Sequence, residues 1–406
     1  MNSRWSAILG LGSLFCGGLL GCSSGDARGA WSGTLDGDVT WSGAITITGD
    51  LIVLPGATLT ILPGTVITVR ADEDDQHASH LGPPDALTRG DPTHDPDAGG
   101  VAFQQAHVSI LIQGRIDARG RADAPIVWKS SKATPFYTDW DGIQVAEGAF
   151  AYNVVEWCLN GLYAAQNHKG MTVDHSVVRH IWAAGVGFHQ PAASSGPSWV
   201  KNSRIEDCGH EAVDTHSPGN LELAYNVVSR SQVGFNLQDA MTANVHHNVI
   251  TRTGFPVLAV NATSVLVTHG TLQAEIPDSS RWTYGGYTMP RLTNAAGVFA
   301  QGSARAIVTN SIFFESPMGL RSEAGASALE NGYLNMDGVT TGYGIEATAG
   351  AGCLAVDSGF VDRGGGDYHL KASSPLRGKG NPANGSPDLG AYGGADAQQE
   401  LGWSYP

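Results

Sequence analysis

The chain has 406 residues, of which 54 are glycine and only 15% are charged, and its formal net charge is −15. This composition favours many tight turns over long helices. It also argues against nucleic acid as a partner, because neutralising phosphate groups requires clustered Lys and Arg. The length alone predicts two or three domains, but a chain of repeats can extend one core over the same length.

Residues 1–21 have the pattern of an export signal, with one charge at Arg4 followed by an apolar stretch and small residues. Residues 19–22 (LLGC) resemble the lipobox of bacterial lipoproteins. That resemblance implies cleavage before Cys22, a lipid on its thiol and attachment to a membrane of the bacterial cell envelope. Ser23 at the second mature position implies the outer membrane. The alternative is an ordinary secretory signal with an incidental cysteine.

A predicted tether, 22–36, follows the signal, and β-structure is predicted from residue 37. Residues 39–69 alternate apolar residues with Thr and are interrupted twice by Pro-Gly. This is the pattern of strands joined by tight turns. We interpret them as the first coils of a repeat.

Residues 71–100 interrupt this pattern with eight acids and four prolines, and we predict a loop insertion with little to bury. Calcium is a possible cofactor there, since it prefers oxygen ligands. The candidate ligands are Asp72, Asp74 and Asp75. They are weak candidates, because no ordered ligand spacing is visible and a solvated loop explains the acids equally well.

An anchor residue, most often Asn or Ser, is followed two positions later by an apolar residue throughout 151–314. The anchors are Asn153, Ser176, Ser203, Asn226, Asn248, Gly270 and Ser311. Their usual spacing of roughly 22 residues is too short for a pair of helices and predicts a solenoid of ten to twelve stacked β-coils. The longer last spacing predicts a loop insertion at 273–296.

Several short segments resemble the pectin-lyase-like superfamily of secreted right-handed parallel β-helix proteins. The entry segment of that fold is similar to 114–120 (GRIDARG) and 140–143 (WDGI), and its bacterial closing segment is similar to 367–370 (DYHL) and 388–392 (DLGAY). The resemblance implies an all-β, single-domain right-handed parallel β-helix over 37–400, closed by 353–400. It implies no activity, because the superfamily contains lyases, hydrolases, epimerases and adhesins. The Trp-Ile-Asp-His stretch of pectate lyases and the Asp set of polygalacturonases are absent.

Candidate functional residues come from the strand that follows each anchor by about ten positions. Successive side chains in a strand point to opposite faces. The predicted inward residues are Leu162, Val186, Val213, Phe235 and Val257. The predicted outward residues are Tyr163, His189, Asp214, His216, Asn236 and Gln238. An outward patch of this kind suits hydrogen bonds to sugar hydroxyls, and a His beside an Asp suits general acid or base catalysis. The alternative is the ordinary polar face of a solenoid.

The 273–296 insertion is expected to rise beside this face. Its candidate binding residues are Arg281, Trp282, Tyr284 and Arg291. Exposed aromatic rings stack on sugars and Arg holds carboxylates. Alternatively, the loop folds over the flank of the helix and buries its own aromatic residues.

The spacing of two cysteines predicts buried thiols and no disulfide between them. Cys158 and Cys208 each follow an anchor by five residues, so they are predicted to share a column two coils apart, near 10 Å, too far for a disulfide. No short zinc-type spacing of Cys and His is visible.

Three classes of function remain. The first is a lipid-anchored envelope protein that binds carbohydrate without catalysis. The second is a polysaccharide lyase or glycoside hydrolase in which His189, Asp214 and His216 transfer protons. The third is a scaffold or adhesin. The negative net charge disfavours polyuronate ligands unless calcium bridges them.

Overall fold

The computed structural model describes residues 30–71, 107–164, 168–189, 196–216, 218–284, 287–288, 291–323 and 328–406. Its strands pair in parallel and form three columns, and each coil contributes one strand to each column in turn. The fold is therefore the predicted parallel β-helix, with about eleven coils.

Two long strands at the amino-terminal end run through both the first and second columns: β1 (Ala30–Leu35) and β3 (Ala44–Val53). The first column continues with β5 (Val66–Val69), β8 (Ile126–Ser130), β11 (Asn153–Cys158), β14 (Val177–Ile181), β17 (Arg204–Cys208), β20 (Val227–Ser229), β23 (Val249–Thr253), β26 (Thr271–Ala274), β31 (Ile312–Phe314) and β34 (Asn335–Asp337). The second column continues with β6 (Ser109–Ile112), β9 (Gly142–Val145), β12 (Leu162–Ala164), β15 (Val186–His189), β18 (Glu211–His216), β21 (Val233–Gln238), β24 (Phe255–Val260), β29 (Val298–Gln301), β32 (Met318–Ser322) and β35 (Thr341–Gly344).

The third column contains β2 (Val39–Trp41), β4 (Thr58–Ile61), β7 (Arg115–Arg119), β10 (Glu147–Ala151), β13 (Gly170–Asp174), β16 (Trp199–Lys201), β19 (Gly219–Ala224), β22 (Met241–His246), β25 (Ser264–Thr268), β30 (Arg305–Thr309) and β33 (Ala328–Gly332). Two antiparallel hairpins lie outside the columns: β27 (Thr283–Tyr284) with β28 (Tyr287–Thr288), and β36 (Phe360–Asp362) with β37 (Asp367–Leu370). Short 3₁₀ turns occur at Ser279–Arg281 and Pro382–Asn384.

The helix begins earlier than the sequence predicted. β1 lies in the last residues of the segment predicted as a tether, and it pairs with β3 along both halves of that strand. The insertion predicted at 71–100 lies almost wholly outside the described residues.

The interior is one hydrophobic core to which all three columns contribute. The five residues predicted to point inward along the second column are buried in it: Leu162, Val186, Val213, Phe235 and Val257. Cys158 and Cys208 are also buried free thiols, separated by Ile181 on the intervening rung, as predicted.

The anchors recur because they satisfy the backbone at a turn. The residue before each of the first five anchors has a positive φ: Tyr152, His175, Asn202, Tyr225 and His247. The backbone N–H of one anchor then donates to the side chain of the next, for example from Ser176 to Ser203 Oγ at 3.1 Å and from Asn226 to Asn248 Oδ1 at 3.0 Å. Because a buried N–H without a partner is costly, each coil needs an acceptor at this position.

The carboxy-terminal segment 376–405 lies along the outside of the first column. Its Leu376 and Leu389 pack on Ile312, and Trp403 and Tyr405 pack near Val154 and Val177. Backbone bonds fix it in place, including Trp403 N–H to Asn202 O at 2.7 Å. We call this segment the C-terminal strap; it extends past residue 400, the predicted end of the helix. In the described part of the chain, no helix has the length and apolarity needed to cross a membrane.

Candidate functional site

The outer face of the second column brings the predicted polar residues together. In the pairing register, His189 lies beside His216 and then Gln238, while Asp214 lies beside Asn236. His189 and His216 are thus neighbours on adjacent rungs although 27 residues separate them in sequence.

Both imidazoles contact one oxygen of Asp214. His189 Nε2 lies 2.6 Å from Asp214 Oδ2, and His216 Nε2 lies 3.2 Å from the same atom. The two imidazole centroids are 4.6 Å apart, and the Tyr163 ring centroid is 4.6 Å from that of His189. We call His189, Asp214 and His216 the His–Asp–His cluster.

The charges in this cluster are fixed by mutual hydrogen bonding. Burial raises the pKa of Asp214, but the hydrogen bonds to His189 and His216 outweigh it and hold that pKa below its ordinary value. The hydrogen bond to Asp214 raises the pKa of His216 to about 9, although partial burial opposes the shift. At neutral pH these two groups therefore form an ion pair, and His216 is a poor proton acceptor.

Two residues of the predicted outer face are not free surface groups. Asp214 is only 4% exposed, because the imidazoles cover it. Asn236 is equally buried, and its Nδ2 donates to Asp214 Oδ1 at 2.9 Å and to Glu211 Oε1 at 3.3 Å. Asn236 therefore supports the carboxylate and is not exposed to a ligand, contrary to the sequence-based expectation. Gln238 is half-buried at the edge of the cluster.

The 273–296 insertion does not present Trp282 to solvent. Trp282 is fully buried and packs in a cluster with Leu159 and Trp182, at the corner between the first and second columns. The prediction of an exposed stacking ring is wrong, and the alternative, a loop that buries its own aromatic residue, is confirmed for Trp282. The physical reason is that this corner exposes apolar side chains that the insertion covers.

Arg281 is held by the same corner. Its Nη1 lies 2.9 Å from Asp207 Oδ1, and Asp207 also accepts hydrogen bonds from Tyr137 Oη and His180 Nδ1, each at 2.8 Å. Burial, followed by the charge of Asp207, raises the pKa of Tyr137. Arg281 is thus a structural cation here and not the free sugar-binding group predicted.

The remaining candidates are placed as follows. Arg291 is exposed. Tyr284 lies in β27, opposite Tyr287, but its side chain is outside the described part of the structure. Cys22 and the calcium candidates Asp72, Asp74 and Asp75 also lie outside the described residues.

A groove that the sequence did not predict lies beside the third column. Its volume is about 680 Å³, and the residues lining it are His168, Phe188, Gly196, Pro197, Ser198, Trp199, Pro218, Gly219, Asn220, Leu221, Glu222, Met241, Thr242 and Asn244. Trp199, Glu222 and Asn244 project from adjacent rungs of β16, β19 and β22. We call it the third-column groove.

One edge of the third-column groove carries linked charges. Lys201 Nζ lies 2.6 Å from Glu222 Oε2 and 5.3 Å from the centroid of the Trp199 ring. Glu222 Oε1 also lies 3.1 Å from His246 Nε2. The carboxylate of Glu222 is thus paired with the Lys201 ammonium and in contact with the His246 imidazole.

The lining of the third-column groove also includes buried apolar side chains and one buried histidine. Phe188, Leu221 and Met241 are buried, and so is His168. Burial lowers the pKa of His168, so the imidazole is neutral at pH 7. Its Nδ1 is buried and has no hydrogen-bond partner among the residues that the structure describes.

Comparisons with known proteins add little to this geometry. No family model matches the sequence, and no curated protein matches it. Among solved structures, the pectate lyase Pel9A is similar over 84% of this chain and 88% of its own, with a TM-score of 0.43 and 13% sequence identity. Likeness at that level carries no information about activity.

Proposed function

We propose that this protein is a lipid-anchored protein of the bacterial cell envelope that binds a saccharide chain in the third-column groove. The observation that carries the proposal is the juxtaposition of Trp199 with polar side chains on successive rungs of an open groove. The lipid anchor follows from the lipobox-like residues before Cys22.

The size and lining of the groove support a saccharide. A volume of about 680 Å³ lies within the range typical of small-molecule sites, which combine an apolar lining with a few polar groups. The Trp199 indole offers an apolar surface for a sugar ring. Asn220 and Asn244 are exposed amides that both donate and accept hydrogen bonds, as sugar hydroxyls require.

The charges favour a neutral saccharide. Lys201 and His246 both contact Glu222, so neither side chain is left unpaired to bind a polyanion. The net charge of −15 also repels polyanionic ligands at long range.

An array of neutral and uronate-containing polysaccharides, probed with the purified full-length protein, tests this proposal. Trp199→Ala should weaken the affinity for any neutral glycan bound by about fivefold or more, since ring stacking contributes of order 1 kcal/mol or more. Leu266→Ala is the matched control, because Leu266 is an exposed apolar residue on the same outward row, one rung beyond Asn244 and outside the groove. Equal loss in both variants, or no glycan bound by the wild type, contradicts the proposal.

A polysaccharide lyase or hydrolase is the second candidate, favoured by the 2.6 Å contact between His189 and Asp214. An aspartate in this position orients an imidazole for proton transfer. Incubation of the protein with the same polysaccharides should then release new chain ends, and His189→Gln should abolish the release. Binding without any cleavage favours the first candidate.

A further inference from the structure

The His–Asp–His cluster gathers three ligand-type atoms at one point of the surface. One side-chain ligand atom from each of His189, Asp214 and His216 lies within 4.8 Å of the other two. Two imidazoles and one carboxylate form a donor set that divalent transition metals prefer, and the bound metal ion displaces to solvent the proton that His216 otherwise carries. We propose that this cluster binds a divalent transition-metal ion, with zinc as the metal that suits it best.

The distances are close to those that a tetrahedral zinc ion requires. Zinc bonds of 2.0–2.2 Å separate two ligand atoms by about 3.3 Å. The separation between His216 Nε2 and Asp214 Oδ2 is 3.2 Å, and that between His189 Nε2 and the same oxygen is 2.6 Å. The His189 nitrogen therefore has to move away from Asp214 Oδ2 by about 0.7 Å to admit the ion at that contact. The partial exposure of both rings leaves a path for it, at 23% for His189 and 39% for His216.

Neighbouring groups are arranged as outer-shell partners of such a site. Asn236 Nδ2 holds the second carboxylate oxygen of Asp214 at 2.9 Å, which fixes the first oxygen toward the imidazoles. The Asp239 carboxylate lies 3.8 Å from Nδ1 of His216, the ring nitrogen that does not face Asp214. A carboxylate behind a metal-ligating histidine fixes its orientation and raises its basicity.

The other His–Asp contacts among the described residues lack this arrangement. Asp207 contacts only one imidazole, and its remaining partners include the guanidinium of Arg281, which would repel a metal ion. Within the described ranges, the ion pairs of Asp214 involve His189 and His216 alone. Imidazole ligands also exclude calcium as the preferred ion, since calcium selects oxygen.

Zinc binding to the purified full-length protein, measured by titration calorimetry and by equilibrium dialysis, tests the proposal. The wild type should bind one more equivalent of zinc than the His189→Ala/His216→Ala variant. Asn236→Ala should weaken the same site about tenfold to 100-fold, as loss of an outer-shell partner does. Calcium should produce no difference between these proteins.

His175→Ala is the matched control, because His175 Nδ1 lies 2.9 Å from Asp174 Oδ1 in a half-buried pair that has no second imidazole among the described residues. It should bind as much zinc as the wild type. Zinc binding and the thermal melting curve are both measured for His189→Gln. Loss of zinc with an unchanged melting temperature shows that the loss does not come from misfolding. Equal zinc stoichiometry in the wild type and the double variant overturns the proposal. Trp199→Ala should retain zinc, so failure of the saccharide proposal is measured separately.

Discussion

Acidification should loosen the C-terminal strap, because two histidines beneath it are held neutral. His247 and His269 are buried and stacked, with ring centroids 4.8 Å apart and planes 7° apart. His247 Nε2 donates to Gly393 O at 3.0 Å, so its Nδ1, which lies 2.9 Å from Nδ1 of His246, is the acceptor. Protonation of His247 would place a donor against a donor.

The sign of the pH dependence follows from the pKa values. Burial, followed by the charges of neighbouring histidines, lowers the pKa of His247 and of His269 to about 4. The free side chain has a pKa of about 6.5. Below about pH 6.5, the state in which the strap has detached therefore binds more protons than the state in which it is packed. The free energy that holds the strap in place is fully present above that pH and is lost as the pH falls toward 4. At pH 4.5 the loss is about 2 to 3 kcal/mol for one histidine.

Hydrogen exchange of the Gly402 and Trp403 amides is the appropriate assay. Both amides donate to the first-column turns, to Tyr225 O and Asn202 O. Opening of the strap exposes them, and a local probe suits a solenoid that need not unfold in one step. When the pH is lowered from 7.5 to 4.5, the protection factors of these amides should fall at least about 30-fold more in the wild type than in the His247→Gln/His269→Gln variant. Identical pH dependence in the two proteins would show that His247 and His269 do not control opening of the strap.

Four further substitutions have defined outcomes. Val213→Asp should unfold the central coils, since an unpaired buried charge costs several kcal/mol, whereas Asp214→Asn, which keeps the shape of the side chain, should leave the protein folded by circular dichroism. Trp282→Ala should lower the free energy of unfolding by about 3 to 5 kcal/mol through the cavity it creates and leave glycan binding unchanged; an undiminished melting temperature would show that the ring is not packed. Cys22→Ser should shift the protein from the membrane fraction to the soluble fraction, and equal partitioning of variant and wild type would contradict the lipid anchor.

The fold was predictable because a solenoid repeats one local solution. Each coil must place an acceptor such as Ser176 or Asn226 at the same turn and an apolar residue such as Val213 at the same inward position. Because of these two requirements, the acceptor and the apolar residue recur at a regular spacing that can be seen in a single sequence. The adjacency of His189 and His216 follows from that period without further information.

What covers the outside of the helix was not predictable in the same way. Trp282 and the C-terminal strap pack on distant coils, and contacts of that kind have no period. A signal for the strap does exist, since Val154, Val177 and Val249 are apolar at an outward position of the first column. Outward apolar residues in a solenoid indicate a covering segment.

The sequence places His189, Asp214 and His216 on one outer face but does not reveal a metal site, and it does not predict the third-column groove. The His–Asp–His cluster has no short sequence spacing, because its ligands come from adjacent rungs rather than from one turn or helix. The third-column groove depends on how the corner between the second and third columns is shaped near Phe188 and Pro218, which the repeat does not encode. Alignment of Trp199, Glu222 and Asn244 in one outward row was its only sequence signal.

The most direct test of the saccharide proposal is hydrogen exchange mass spectrometry of the full-length protein with and without the best-binding glycan from the array. Glycan binding in the third-column groove should protect the peptides that contain β16, β19 and β22, centred on Trp199. Protection confined to the second column around His189 and His216, or none in the third column at saturating glycan, would contradict it.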